Sequence, residues 1–267
     1  GCPVFCGRVI QGVKNGPSPV WMQNALRAIG LRPISFLVDV TNYFTYDQNR
    51  PLHVFDMDKV KGNLRVHRAA GGEKIVALDD KEYTLQAGQM AISDDNGVES
   101  IAGVMGSLES GCTEETVNVF VESAYWDPIQ IAYTGRALKI NSDARYRFER
   151  GVDPAFTPVG LEHAVRMIVD HAGGEASQLI QAGDVPDVSR SYKLDTDRCS
   201  SLVGMEIAAD RQREILTSLG FIMDRDMAAV PSWRPDVQGE ADLVEEVARI
   251  ESLTGLVGKP LPRLHDG

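Results

Sequence analysis

The chain has 267 residues, with 27 Lys and Arg against 38 Asp and Glu, giving a formal net charge of −11. Its 43% hydrophobic and 24% charged content is that of a soluble globular protein, no apolar run approaches the roughly 20 residues a membrane helix needs, and the N-terminus lacks the pattern of a secretory signal. An acidic total argues against holding nucleic acid by overall phosphate neutralisation and leaves only a local basic patch for that purpose.

Four cysteines, Cys2, Cys6, Cys112 and Cys199, are too few and too scattered for a disulfide scaffold, so a reducing compartment, the cytoplasm, is expected. The opening at Gly1 without a Met and the ending "RLHDG" read as parts of something longer. In "CPVFC" two thiols lack a second pair of ligands, and Asp56 and Asp58 stand alone, so no metal site is expected.

Along the chain, "SPVWMQNALRAIG" predicts a helix with Ser18 at the cap, Pro19 at the first position and Gly30 closing it. From Ile34 to Leu108, short β-branched runs predict a sheet: "FLVDVTNYF", "LRVHRA", "KIVALD", "KEYTL" and "QMAIS". Thr41 and Asn42 fall in the first of these runs, and His53 follows a turn set by Pro51. A lone His there suits a general base or water-orienting group, and equally a structural hydrogen bond. Gly103, Gly106 and Gly111 in "IAGVMGSLESG" either allow close approach of backbone to a ligand and offer amides to an oxyanion or carboxylate, or form merely turns, and match no nucleotide-binding fingerprint.

"VNVFVES" predicts a buried strand whose end carries Glu122. That carboxylate either finds a partner, a ligand hydroxyl included, or sits in solvent. "NSDARYRFERGVDP" sets Arg145, Arg147 and Arg150 beside Tyr146 and Phe148, with Arg136 and Lys139 just before it. Arginines beside rings suit a phosphate backbone with stacked bases; paired to Asp143, Glu149 or Asp153 they would hold the fold together. Asp153-Pro154 opens an amphipathic helix with Phe156, Val159, Ala164, Val165, Ile168, Val169 and Ala172 on its apolar side, stopped by Gly173-Gly174.

A Pro, Asp and Ser-rich stretch from Pro186 to Ser191 marks a linker. Beyond it come a helix capped by Asp210 and closed by Gly220, short strands in "FIMDRDMAAVPSW" and a second helix in "GEADLVEEVARIESLTG". Arg234 and Asp236 beside Trp233 read as a braced turn. The fold class is therefore α+β in both parts, with domains at residues 1–187 and 188–267.

Six segments in order, "VDVTNYF", "RPLHVFDMDKV", "AGVMGSLESG", "VFVESAYWDP", "SDARYRFERGVDP" and "PSWRPDVQGEADLVEEVARI", resemble the β subunit of bacterial phenylalanyl-tRNA synthetase over nearly the whole chain. The resemblance implies a B3/B4 editing module followed by a B5 module similar in fold to DNA-binding domains. It implies hydrolysis of tRNA for phenylalanine mischarged with tyrosine. On it, Glu122 would accept the tyrosine phenol, His53 and Asn42 would lie near the ester and its attacking water, and Gly106 and Ala144 would keep the amino-acid pocket roomy. Thr41 and Ser142 would neighbour them.

The partners implied are the acceptor end of the tRNA and the synthetase α subunit, with no membrane. ATP and Mg2+ would serve the full synthetase, with no cofactor in this portion. The alternative is a docking or assembly module that keeps the fold without turnover. Asn49-Arg50 before "PLH", Ser107 in place of a second glycine, and "RIESLTG" depart from the family pattern.

Overall fold

A computed structural model describes residues 1–256, 258 and 260; the "RLHDG" ending and the rest of the expected second domain beyond residue 260 lie outside the described residues. The chain divides into two compact units, one up to Pro186 and one from Asp187.

The first unit is built on an antiparallel sheet. Strand β1 (Val4–Gln11) pairs with β9 (Asn118–Tyr125), which pairs in turn with β2 (His53–Asp56); on its other side β1 pairs with β10 (Glu175–Ala176) and β11 (Ile180–Gly183). Alternation along these strands gives the sheet two apolar faces. Val4, Cys6, Ile10, Val54, Val119 and Val121 face one core, and Phe5, Phe55, Phe120 and Ala124 face the other.

Helices cover the first face: α1 (Val20–Ala28), α2 (Phe36–Asp47) and α5 (Phe156–Ala172). The second face meets a four-stranded sheet of β3 (Arg65–Arg68), β6 (Met90–Ser93), β7 (Val98–Ile101) and β8 (Met105–Gly106). A small hairpin, β4 (Lys74–Val76) and β5 (Glu82–Thr84), and the helices α3 (Pro128–Leu138) and α4 (Asp143–Phe148) complete the unit.

The run "FLVDVTNYF" is helical, not a strand. Its buried apolar residues, Phe36, Leu37, Val40 and Phe44, recur at helical spacing and pack on α5, and that packing outweighs the β preference of Val38, Val40 and Thr41. Ser18 does not cap α1: Pro19 holds that position, and the Ser18 hydroxyl donates to buried Asp39 at 2.5 Å. On α5 the buried face is Thr157, Gly160, Leu161, Ala164, Val165, Ile168 and Ala172, whereas Val159 is exposed.

The second unit has a three-stranded antiparallel sheet in the order β12 (Ser191–Lys193), β14 (Met227–Ala229), β13 (Ile222–Asp224), with helices α6 (Ala209–Ser218) and α7 (Glu240–Glu251). Leu216, Phe221, Ala228, Leu243, Val244 and Val247 are among its core. Asp210 sits inside the first turn of α6; Ala208 occupies the cap and offers no side-chain bond. Arg234 bridges Asp236 and Glu246 at 2.6 and 3.0 Å, which fixes the turn beside Trp233 to α7.

Candidate active site

The strand pairing sets the site. His53 on β2 lies directly opposite Glu122 on β9, so both side chains leave the sheet on the face toward the second core. Glu122 is an interior residue of β9, 6% exposed, and not a strand-end charge in solvent. Its Oε2 and the His53 Nε2 are both buried with no hydrogen-bond partner among the described residues.

Burial removes charge from both groups. The Glu122 carboxyl is pushed up from its ordinary 4.5 to about 8, and the His53 imidazole down from 6.5 to about 4, in each case by loss of solvation. At neutral pH the imidazole is neutral and the carboxyl largely protonated, which spares the interior two uncompensated charges. A protonated carboxyl can both donate and accept a hydrogen bond, and a neutral imidazole can do the same at its two nitrogens.

Rings and glycines surround the pair. His53 stands edge-on to Phe55 with centroids 4.3 Å apart, Phe55 lies 6.2 Å from Phe120, and Phe120 stacks with Phe5 at 6.3 Å. Gly106 is the close approach on the opposite wall: a Cβ there would lie 2.6 Å from His53 Nε2. Gly7, opposite Glu122 on β1, admits the Phe120 ring, which a Cβ would overlap.

The remaining residues expected at the site are divided: Thr41 and Asn42 are on α2, which covers the first face of the sheet, and Ser142 and Ala144 are on or beside α4, which reaches the Gly106 turn. Ser142 caps α4, accepting from the Arg145 amide at 3.1 Å, and its hydroxyl donates to the Val104 carbonyl at 2.6 Å, just ahead of Gly106. Ala144 packs into the second core, half-buried. Asp143 accepts from the Tyr46 hydroxyl at 2.7 Å, and Arg147 lies 4.2 Å over the Tyr46 ring, so α4 is tied to α2 one turn beyond Asn42. Asn42 is half-buried, and its amide has no hydrogen bond among the described residues. The Thr41 hydroxyl is engaged within its own helix, donating to Val38 at 2.7 Å, which makes it a less available contact.

The turn before Gly106 does not offer a free row of amides. Val104 donates to the Ile101 carbonyl at 2.9 Å, and Ser107 to the Glu99 carbonyl at 2.8 Å. Among the described residues no three His, Cys, Asp or Glu side chains are placed to hold a metal ion.

Sequence reasoning passed over two features. The ring wall is encoded as i, i+2 alternation, His53 with Phe55 and Phe120 with Glu122, and that period could have placed all four on one face. Arg50, noted only as a departure, is fully buried and donates to the Ala124 carbonyl at 3.0 Å and to the Asp153 carbonyl. Burial lowers its guanidinium to about 10, with Asp153 opposing the shift. It fastens the end of α2 to β9, three residues ahead of His53.

The two unpartnered groups thus lie between two sheets beside a glycine turn. The B3/4 domain family matches residues 1–173, and the family described as the tRNA synthetase B5 domain matches residues 192–252. The chain belongs to the B3/4 domain family, in the line of the phenylalanine–tRNA ligase β subunits.

It is 73% identical over 267 residues to the phenylalanine–tRNA ligase β subunit of Ruegeria pomeroyi, covering 100% of this chain and 34% of that protein. To the same subunit of Cereibacter sphaeroides it is 66% identical, covering 100% of this chain and 33% of that protein. It thus spans about a third of the length of these relatives. A solved N-terminal fragment of the phenylalanyl-tRNA synthetase β subunit from Pyrococcus horikoshii is similar at 17% identity and a TM-score of 0.41, over 92% of this chain and 70% of that chain.

Proposed function

We propose that this chain hydrolyses the ester of tyrosine wrongly attached to the tRNA for phenylalanine. The observation that carries the reading is the buried Glu122 carboxyl, lacking a protein partner and set in a wall of phenylalanine rings opposite an equally unpartnered His53. A buried, unpartnered carboxyl among phenylalanine rings suits an aromatic side chain bearing a hydroxyl.

The chemistry gives such a site a purpose. A pocket shaped for phenylalanine rejects an isostere that merely adds a hydroxyl by only about a hundredfold, whereas a site built to bond that hydroxyl rejects the analogue lacking it far more strongly. Here Glu122 would satisfy the phenol, and a phenylalanine ring would leave the carboxyl buried and unpaired at a cost of about 1–3 kcal/mol.

Water attacks the ester carbonyl, and the bond from the carbonyl carbon to the ribose oxygen breaks. That oxygen takes up a proton in balance with the one water gives up, leaving free tyrosine and uncharged tRNA. A neutral His53 hydrogen-bonds and orients that water and takes up little net charge, and the Asn42 amide, free of protein partners, supplies a second contact to water or ester. Gly106 and Ala144 keep room for the substrate, Ser142 holds Ala144 against the Gly106 turn, and Thr41 supports the helix that presents Asn42. No covalent intermediate is involved.

On the same reading the whole protein is a phenylalanine–tRNA ligase that binds tRNA and an α subunit in the cytoplasm and uses ATP and Mg2+ for aminoacylation. Those groups belong outside the site described, and no step here passes through them. No helix of the described residues is long and apolar enough to cross a membrane. We further assign the two functional modules to residues 1–187 and 188–267.

The test is deacylation of Tyr-charged and Phe-charged tRNA by the chain, beside Glu122→Ala and His53→Ala. Selective release of tyrosine is expected, with selectivity falling at least about tenfold in the first variant and the rate about a hundredfold in the second. No release by the wild-type chain would replace this reading with a docking module. An unchanged rate in His53→Ala would remove His53 from the mechanism.

A further inference from the structure

The arginine-rich stretch is largely occupied with its own carboxylates. Arg145 bonds Glu149 at 3.0 Å and the Ile140 carbonyl at 2.5 Å, and its side chain covers Gly135 of α3. Arg147 pairs with Asp143 at 3.3 Å while lying over Tyr46, and Arg150 pairs with Glu149 at 2.8 Å. These three brace α4; none is free to meet a ligand without giving up a partner.

The neighbouring helix is different. Arg136 and Lys139 are exposed and form no ion pair among the described residues. Between Asp127 and Asp143 the sequence contains no carboxylate, in a chain with 38 of them. Ile129 and Tyr133 are 64% and 65% exposed and stand on the same face of α3 as Arg136, at i, i+4 and i+7. Lys139 ends the helix at φ 56°, a left-handed position usually given to Gly or Asn.

The inner face of α3 is fixed. Buried Ile131 lies against Gly103, in the turn that leads to Gly106, and Gly135 lies under Arg145. The exposed stripe therefore faces solvent on a helix seated on the wall of the proposed site. Tyr146, 56% exposed, adds a second ring, with the Arg150 guanidinium 3.7 Å above it.

We infer that the Ile129, Tyr133, Arg136 and Lys139 face of α3, with Tyr146, receives the single-stranded end of an RNA. The occupant follows from the surface: cations without carboxylate partners suit phosphodiesters, and exposed tyrosine rings suit unpaired bases. This rests on the function proposed above and adds where the RNA lies. It also divides the cations: Arg136 and Lys139 meet the ligand, whereas Arg145 and Arg147 do not.

The experiment measures binding of a labelled, uncharged RNA hairpin with a short single-stranded 3′ tail, against the same hairpin blunt-ended, to the full 267-residue chain over a salt series. The tailed form should bind more tightly. Arg136→Glu with Lys139→Glu should weaken it about tenfold or more and flatten the plot of log affinity against log salt by roughly 1.4, from about 0.7 per lost contact on a single strand. Tyr133→Ala should weaken binding with the slope unchanged.

Arg166→Glu, at an exposed arginine of α5 facing Asp170, should match wild type. Equal affinity and slope in the double variant, no preference for the tail, or no binding by wild type would each overturn the inference. Because the RNA carries no amino acid, failure to deacylate Tyr-charged tRNA would count against the proposed function alone.

Discussion

Glu122→Gln keeps the shape of the buried side chain and removes its proton equilibrium. The carboxyl is 6% exposed, and burial raises it from 4.5 to about 8. Between those values the native chain holds a proton that the unfolded chain has released, so stability is full below 4.5 and falls as pH rises toward 8. At about 1.36 kcal/mol per pH unit, the whole window corresponds to about 5 kcal/mol, and the part above pH 6.5 to about 2 kcal/mol.

His53 acts at the other end of the scale. Its imidazole is lowered from 6.5 to about 4, so its contribution is lost as pH falls below 6.5, outside that upper interval. Urea unfolding of wild type and Glu122→Gln at about pH 6.5 and 8.5 isolates the carboxyl. Wild type should lose about 2 kcal/mol more than the variant across the interval. Equal losses would refute the claim that Glu122 is held neutral by burial.

Gly106→Ala places a methyl 2.6 Å from the His53 Nε2; the ring must shift, and deacylation should fall at least about tenfold for an overpacking cost of about 1–3 kcal/mol, read from rate and urea midpoint together. Arg50→Ala leaves the Ala124 and Asp153 carbonyls without their buried donor and should destabilise the first unit by about 3 kcal/mol, with little change if the arginine is dispensable.

What the sequence made legible was local or rested on resemblance. The strand bearing Glu122, the glycine turn at Gly106 and the final helix follow from alternation, turn residues and amphipathic spacing; the strand bearing His53 did not, because Pro51 reads as a turn and only pairing with β9 extends the residues after it. The helix bearing Asn42 did not, because Val38, Val40 and Thr41 favour strands and only packing on α5 decides otherwise. Ser18 misled as a cap because its hydroxyl serves Asp39, 21 residues away. The pairings of Arg145 with Glu149 and of Arg147 with Asp143 were open to guesswork at i, i+4. The ring wall and the Arg50 tie were not, since they join segments far apart in the chain.

Arg50 also has a consequence for how the two strands can move. A one-residue slip of β2 along β9 would turn His53 to the opposite side of the sheet, away from Glu122. That slip would pull the guanidinium off the Ala124 carbonyl, which lies on the same strand as Glu122. Arg50 thus holds the register that sets His53 opposite Glu122 from a position outside the pair.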